Sequence, residues 1–268
     1  MALFTPADRK SIMDYIVSFT EQNEHIVALV AVGSGSFGYT DELSDLDFVV
    51  AIDSGENLDI VKDSVANELS KKASIIYFKQ DPDIPLQVYL CDNFLEIDIG
   101  YGVYTDAAAT RAHWKVLFDK TGTVQEAMQT SWEKTKNDPK IDEYAKALLE
   151  CSDRVWSNLM HGALPIKRKQ YWRAIAELDI ARNFLVKLLG LRYSLDTERG
   201  RDVDKLPEFE LHTLKKTLVR DFSQESLWSN LTCLTNAIYA ELERSEEQAY
   251  IRIHRQHVDE YINACRNF

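Results

Sequence analysis

Residues 26–52 read IVALVAVGSGSFGYTDELSDLDFVVAI, and this segment decides the fold. Two apolar runs rich in β-branched residues flank a stretch of Gly, Ser and Asp, a pattern that predicts two buried strands joined by an irregular loop. Asp45 and Asp47 open the second run, and their carboxylates can bind one cation because alternate residues of a strand share a face. Gly33 and Ser34 end the first run, where a backbone can approach phosphate closely. The segment therefore indicates a metal–nucleotide site.

A second acidic pair lies in the segment Leu95–Ile99, in which apolar and acidic residues alternate strictly. The alternation predicts a strand with its apolar residues on one face and Glu96 and Asp98 on the other. Taken alone, this pattern is typical of the solvent-exposed side of a half-buried strand. Beside the first pair it supplies a candidate third carboxylate. The sequence does not choose between Glu96 and Asp98, because both project from the same face.

The composition is that of an ordinary globular protein. The 268 residues are 45% hydrophobic and 28% charged, enough for one large domain or two modest ones. The four cysteines have no CxxC spacing, so we expect reduced thiols rather than a zinc site or a disulfide framework. No apolar run approaches the roughly 20 residues of a membrane span, and no signal-peptide pattern is present. We therefore expect a cytoplasmic protein that has no membrane partner.

The negative charge is concentrated in the first half of the chain. Residues 1–130 contain 9 Lys and Arg against 21 Asp and Glu, which accounts for the whole formal net charge of −12. An acidic surface repels the phosphate backbone of a nucleic acid, so we expect no nucleic-acid partner. The same charge favours a small cationic substrate, or a divalent metal ion beside a nucleotide. Simple solubility charge is the alternative explanation.

The pattern of periodicity changes near residue 123. Before it, short β-branched runs alternate with two helical segments, and after it the spacing is helical, with breaks expected at Pro139, Pro165 and Gly190. We therefore predict an α+β fold with two domains. A small mixed-sheet domain would occupy residues 1–130, and an α-helical bundle would occupy residues 131–268.

The glycines of the first segment also fit a dinucleotide-binding fingerprint. Residues 33–38 read GSGSFG after a strand, and Asp53 lies 20 residues beyond Gly33, as in a Rossmann unit that binds NAD. A Rossmann unit needs a helical crossover of a dozen or more residues between its strands. Only six residues separate Gly38 from Asp45, and their sequence YTDELS has no helical periodicity. The Rossmann interpretation is therefore disfavoured.

The same residues are similar to the motifs of the DNA polymerase β-like nucleotidyltransferase superfamily. The matching pattern is Gly33-Ser34, then Ser44-Asp45-Leu46-Asp47, then an apolar–acid–apolar strand at residues 95–99. The chain most resembles the antibiotic (aminoglycoside) adenylyltransferase-like proteins. Those proteins combine a nucleotidyltransferase domain with a C-terminal helical bundle, which would close the cleft over substrate and nucleotide. The motif content is confined to residues 33–47 and 95–99.

The resemblance implies a Mg²⁺-dependent enzyme that transfers AMP, or another nucleoside monophosphate, from ATP or another nucleoside triphosphate to a hydroxyl of a small molecule. An aminoglycoside-type antibiotic is among the acceptors it implies, and pyrophosphate is the other product. Gly33, Ser34 and Ser44 would hold the triphosphate. Asp45 and Asp47 would bind the metal. Asp98 would complete the metal site, or Glu96 would act as the general base.

The resemblance also implies a contribution from the helical half. Arg182 and Lys205 resemble cations that contact the nucleotide phosphates in related adenylyltransferases, although an ordinary surface cation is the better explanation of each residue taken alone. The chain departs from many relatives at Phe37, where they have an arginine. A different class of function remains open, namely a non-catalytic nucleotide sensor or an antitoxin-like protein on the same fold. The sequence identifies neither the acceptor nor the oligomeric state.

Overall fold

The structure is a computed structural model that describes residues 3–39, 41–81, 83–109, 112–137, 143–245 and 248–267. The chain divides into two compact units, Met1–Asp138 and Pro139–Phe268. The division falls beyond the expected boundary at residue 130 because the helix Thr123–Asn137 packs on the sheet of the first unit through Val124 and Met128. Pro139, where a break was expected, lies outside the described residues.

In the described residues, the first unit is a six-stranded mixed sheet with three α-helices. In chain order the elements are α1 (Pro6–Gln22), β1 (Ile26–Val32), β2 (Leu46–Ile52), α2 (Leu58–Lys72), β3 (Ile75–Gln80), β4 (Leu86–Cys91), β5 (Glu96–Val103), β6 (Trp114–Asp119) and α3 (Thr123–Asn137). The strands follow the order β3-β4-β5-β2-β1-β6 across the sheet, with β2 and β5 parallel and the other neighbouring pairs antiparallel. The α+β fold class is therefore confirmed, and the antiparallel pairing of β1 with β2 rules out a Rossmann unit.

Helix α1 begins where the sequence contains a capping box. The Thr5 hydroxyl accepts a hydrogen bond from the backbone N–H of Asp8, and the Asp8 carboxylate accepts one from the backbone N–H of Thr5. Ile12 and Ile16 on the buried side of α1 pack against the sheet. The opening of the chain thus covers one face of the sheet with a helix whose start is set by local hydrogen bonds.

The two faces of the sheet are covered differently. One face is buried against α1 and α2 by a large apolar cluster, to which β2 contributes Leu46, Phe48 and Val50. The other face is covered by α3 near β1 and β6, through a smaller cluster that includes Ala51 of β2. The residues of β2 that alternate with the first set, Asp47 and Val49, lie on this second face. Near the start of β2, the Asp47 carboxylate therefore lies on the face of the sheet that is covered by the smaller apolar cluster.

The second unit is an assembly of helices around its own apolar core. Pro165 does not break its first helix, because it lies close to the helix end and its side chain is buried. Gly190 does not break the next helix, which continues to Tyr193. The missing Cβ of Gly190 leaves room for the side chain of Thr197. Among the described residues, no helix has both the length and the apolar composition that a bilayer crossing requires. The helices are α4 (Glu143–Lys167), α5 (Tyr171–Tyr193), α6 (Glu208–Thr217), α7 (Gln224–Leu242) and α8 (Gln248–Asn267).

Candidate active site

The parallel pairing of β2 with β5 brings the two acidic motifs together. Leu46 is the register partner of Ile97, and Asp47 is the register partner of Asp98. Register partners on parallel strands point to the same side of the sheet, so both carboxylates project from one face. Asp45 and Glu96 lie two residues earlier along the chain from these partners and share that face. The structure thus gathers all four predicted carboxylates at one end of two adjacent strands.

Asp98 is the electrostatically strained member of this group. Its Oδ1 atom is buried and has no hydrogen-bond partner among the described residues. Burial, together with the nearby charges of Glu96 and Asp45, raises the pKa of Asp98 to about 6. Asp45 and Glu96 themselves are exposed, whereas Asp47 and Asp98 are partly buried. A cation placed here would neutralise the repulsion and supply a partner for the orphaned oxygen.

The turn after β1 packs directly on Asp47. It is a 3₁₀ turn over residues Gly33–Phe37, and Gly33 adopts a positive φ of 62°. A Cβ added at Gly33 would lie 2.8 Å from Oδ2 of Asp47, so only glycine lets the backbone come this close to the carboxylate. The Ser36 hydroxyl donates a hydrogen bond of 2.8 Å to the Gly33 carbonyl and holds the turn closed. Gly33 and Ser34, the predicted phosphate-binding residues, therefore lie beside the carboxylate group.

The predicted nucleotide ligand Ser44 is held within the loop that precedes β2. Its hydroxyl donates a hydrogen bond of 2.9 Å to the Asp41 carboxylate, and its carbonyl accepts one of 2.8 Å from the Arg9 guanidinium. These bonds fix the backbone immediately before Asp45. A contact between Ser44 and a nucleotide stays a prediction.

Arg9 is a site residue that the sequence analysis missed. It is only 4% exposed, and its guanidinium donates to the carbonyl oxygens of Asp41 and Ser44 and stacks on the Tyr39 ring at 3.7 Å. A signal was present, because Arg9 continues the buried stripe of α1 through Ile12 and Ile16. A charged residue on the apolar side of an amphipathic helix indicates a buried partner. Here the partner is the loop that leads into Asp45.

Tyr39 links this buried arginine to the carboxylates. Burial raises the pKa of Tyr39, the Arg9 charge lowers it, and the charges of Asp47 and Asp45 raise it again. The ring therefore lies close enough to Asp45 and Asp47 to interact with them electrostatically. Its hydroxyl lies 3.6 Å from the Met13 sulfur of α1, which holds the ring between helix and loop.

The donor set fits a hard divalent cation that brings other ligands with it. Within the described residues no cluster of three His, Cys, Asp or Glu side chains is close enough to hold a metal ion by itself. Mg²⁺ usually takes one or two protein carboxylates and completes its shell with water and substrate phosphate oxygens. Asp47 and Asp98, adjacent in register, could supply such a pair, and the buried oxygen of Asp98 that has no hydrogen-bond partner among the described residues is a suitable ligand atom for a cation.

The two predicted phosphate contacts of the helical unit differ from each other. Arg182 is partly buried in α5, where its guanidinium donates to the hydroxyl and the carbonyl of Thr217 and pairs with Asp179. Lys205 lies on the surface, with its side chain 69% exposed and its Nζ 2.9 Å from Asp202. Arg182 thus fastens the end of α6 to α5, which is a structural role within its own unit. A phosphate contact for either residue stays a prediction.

A scan against protein-family models and a search of the curated proteins found no match. Among solved structures, the chain is similar to an aminoglycoside 6-adenyltransferase from Bacillus subtilis, with 12% identity and a TM-score of 0.44 over 94% of this chain and 98% of that chain. It is also similar to a nucleotidyltransferase-like protein from Exiguobacterium sibiricum 255-15, with 12% identity and a TM-score of 0.38 over 88% of this chain and 77% of that chain. Likeness at this level does not establish a substrate or a reaction.

Proposed function

We propose that this protein is a Mg²⁺-dependent nucleotidyltransferase that moves a nucleoside monophosphate, AMP in the simplest case, from a nucleoside triphosphate to a hydroxyl of a small molecule. The observation that carries the proposal is the register pairing of Asp47 with Asp98, with the Gly33 turn packed against Asp47. Nucleotidyl transfer needs the triphosphate held in place, the attacking hydroxyl aligned, and the developing charge neutralised. A turn that would bind the phosphates, beside a pair of partly buried carboxylates, would meet these needs.

The roles of the residues follow from their positions. The backbone of Gly33 and Ser34 would bind the triphosphate, and Asp47 and Asp98, with Asp45 beside them, would hold Mg²⁺ against it. When bound, the metal ion would supply positive charge at the transferred phosphoryl group and at the leaving pyrophosphate. Arg9 would keep the loop before Asp45 in place without contacting the substrate.

Glu96 and Asp98 would have different roles in the reaction. Asp98 is partly buried beside Asp47, which suits a metal ligand. Glu96 is exposed at the start of β5 on the same face, which suits a general base that accepts the proton of the acceptor hydroxyl. The two carboxylates that the sequence analysis could not separate thus receive different roles in the proposal.

The acceptor would be small and would carry hydroxyl groups. The acidic balance of residues 1–130 favours a cationic acceptor by electrostatic attraction, and an aminoglycoside-type antibiotic has this chemistry. The same balance disfavours transfer to a nucleic acid, whose phosphates it would repel.

The test is pyrophosphate release from ATP and Mg²⁺ with a panel of aminoglycosides, other hydroxylated antibiotics and polyol metabolites. We expect release with at least one acceptor, and a loss of roughly a hundredfold or more in Asp47→Asn and Asp98→Asn, since each variant removes a carboxylate from the metal pair. Asp63→Asn changes an exposed carboxylate of α2 and serves as the matched control with unchanged activity.

Two outcomes would contradict the proposal in different ways. Full activity in the double variant Asp47→Asn/Asp98→Asn would remove the carboxylates from the mechanism. Tight binding of ATP and Mg²⁺ without pyrophosphate release for any acceptor would identify a nucleotide sensor instead.

A further inference from the structure

An exposed aromatic pair lies at the end of the 3₁₀ turn. Phe37 is the last residue of the turn and is 65% exposed, although it is one of the largest apolar side chains of the chain. Its ring meets the His113 ring edge-on, with the centroids 5.0 Å apart and the planes at 88°. His113 is exposed as well. Phe37 belongs to none of the apolar clusters of the fold, so packing within the described residues does not explain it.

The strand register places this pair beside the carboxylates. Val32 pairs with Trp114 between β1 and β6, and Ala31 pairs with Phe48 between β1 and β2. The end of β1, the start of β2 and the start of β6 therefore lie along one end of the sheet. His113 immediately precedes β6, two strands from β2, which is a separation of about 10 Å at a strand spacing of about 4.8 Å.

The turn connects the two features directly. Gly33 at its start touches Asp47, and Phe37 at its end touches His113. A ligand that binds its phosphates at Gly33 and Ser34 therefore has an aromatic surface within the length of one nucleotide. Exposed aromatic faces of this kind bind nucleobases by stacking, and a stack contributes more as the π surface of the base grows.

We propose that Phe37, supported edge-on by His113, is the stacking platform for the base of the nucleotide and that it favours purine over pyrimidine triphosphates. The inference rests on the proposed nucleotidyltransferase function, because it assigns the base of the same nucleotide. Phe37 positions and selects the donor substrate and does not contact the transferred phosphoryl group.

The experiment compares a ligand that has a base with one that has none. Calorimetry on the full chain with Mg²⁺ measures the affinity of a non-hydrolysable ATP analogue and of inorganic tripolyphosphate for the wild type, Phe37→Ala and Phe37→Trp. Phe37→Ala should weaken binding of the ATP analogue by roughly five- to a hundredfold, the usual contribution of one base stack. It should change tripolyphosphate affinity by less than about twofold, and Phe37→Trp should bind the analogue about as well as the wild type.

The matched control is Leu43→Ala. Leu43 is also a large apolar residue, 63% exposed, between the turn and β2, and its replacement should leave both affinities unchanged.

His113→Leu should weaken binding of the ATP analogue less than Phe37→Ala does, because it removes only the residue that supports the Phe37 ring. The analogous UTP and CTP compounds should bind more weakly than the ATP compound to the wild type, and this difference should shrink in Phe37→Ala.

The outcomes separate the platform from the proposed function. If the protein binds tripolyphosphate and Phe37→Ala does not selectively lose affinity for the ATP analogue, the base-stacking role of Phe37 is wrong. The proposed phosphate site would be unaffected by that result. Equal losses for both ligands would also overturn it, because they would indicate a disturbed turn. A wild type that binds neither ligand with Mg²⁺ would overturn the nucleotide site, and the platform with it.

Discussion

Asp47 and Asp98 are register partners on the parallel strands β2 and β5, although 50 residues lie between them in the sequence. Within the described residues, a buried carboxylate oxygen of Asp98 has no hydrogen-bond partner, and the negative charges of Glu96 and Asp45 lie nearby. Such an arrangement costs stability in the absence of a cation, and it is the basis for the first prediction.

Asp98→Asn should stabilise the protein at neutral pH in the absence of Mg²⁺. Because the pKa of Asp98 rises from 3.8 to about 6 on folding, its contribution to stability is complete below pH 3.8 and is lost as the pH rises through about 6. The uncharged variant avoids this loss. We expect a free energy of unfolding about 1–2 kcal/mol higher at pH 7.5, a value reduced for partial exposure, and no difference near pH 4.

Urea unfolding at the two pH values checks this prediction, with Asp63→Asn as the control. Mg²⁺ should raise the stability of the wild type at pH 7.5 and raise that of Asp98→Asn less, because the proposed site would bind the ion only in the folded carboxylate pair. Equal pH slopes for the wild type and Asp98→Asn would show that the carboxylate is not strained.

Gly33→Ala should lower the affinity for Mg²⁺–ATP more than Gly38→Ala does. Both glycines have a positive φ, 62° and 78°, so each alanine carries the strain of an unfavourable backbone conformation, of order 1 kcal/mol. Only at Gly33 would the added methyl group meet Asp47, since no atom of the described residues lies within 4 Å of the corresponding position at Gly38. We expect at least a tenfold larger loss of Mg²⁺–ATP affinity in Gly33→Ala, measured by calorimetry. Equal losses would mean that the close approach to Asp47 has no function.

Arg9→Met should destabilise the first unit by about 2–4 kcal/mol, because it removes the donors to two loop carbonyls and the charge stacked on Tyr39. Nucleotide affinity should fall as well, since the loop leads directly into Asp45. Lys10→Met is the control. Lys10 pairs with Asp14 on the exposed side of the same helix, so its loss should change the free energy of unfolding by less than about 0.5 kcal/mol. Similar effects of the two variants would contradict a buried role for Arg9.

In the helical unit, Gly190→Ala should lower the free energy of unfolding, whereas Gly162→Ala should not. A Cβ at Gly190 would lie 2.3 Å from Oγ1 of Thr197, which would have to move and give up its hydrogen bond to the Val186 carbonyl. We expect a loss of about 1–3 kcal/mol. At Gly162 the nearest atom is Cδ2 of Leu178 at 3.4 Å, an ordinary contact, so the gain in helix propensity should leave that variant unchanged or stabilised by up to about 1 kcal/mol. Thermal unfolding of both variants checks the contrast.

The strands and helices of the fold were predictable because their signals are local. The alternation at Leu95–Ile99 and the capping box at Thr5 act over a few residues and need no knowledge of the rest of the chain. The ends of α4 and α5 were not predictable in the same way. Pro165 and Gly190 interrupt the local pattern, and tertiary packing keeps both inside helices.

The acidic residues of the site were predictable, but their arrangement was not. That Asp45 and Asp47 share a face follows from the period of a strand. That Asp98 rather than Glu96 pairs with Asp47 depends on the register of two strands distant in sequence, which no local pattern encodes. A local signal marked Arg9 as buried, but its partners were not predictable, because the carbonyl groups that it binds are more than thirty residues away.

The parallel pairing of β2 with β5 also makes the proposed cation site depend on the correct alignment of the sheet. Side chains alternate along a strand, so a slip of β5 by a single residue would turn Asp98 into the apolar core and bring Ile97 or Ile99 beside Asp47. A chain misaligned in this way would bury a charge and lose the proposed cation site in one step. The residues proposed for chemistry therefore also reject the nearest wrong alignment of the sheet, so mutations that remove the charge of Asp98 would make that error easier to populate.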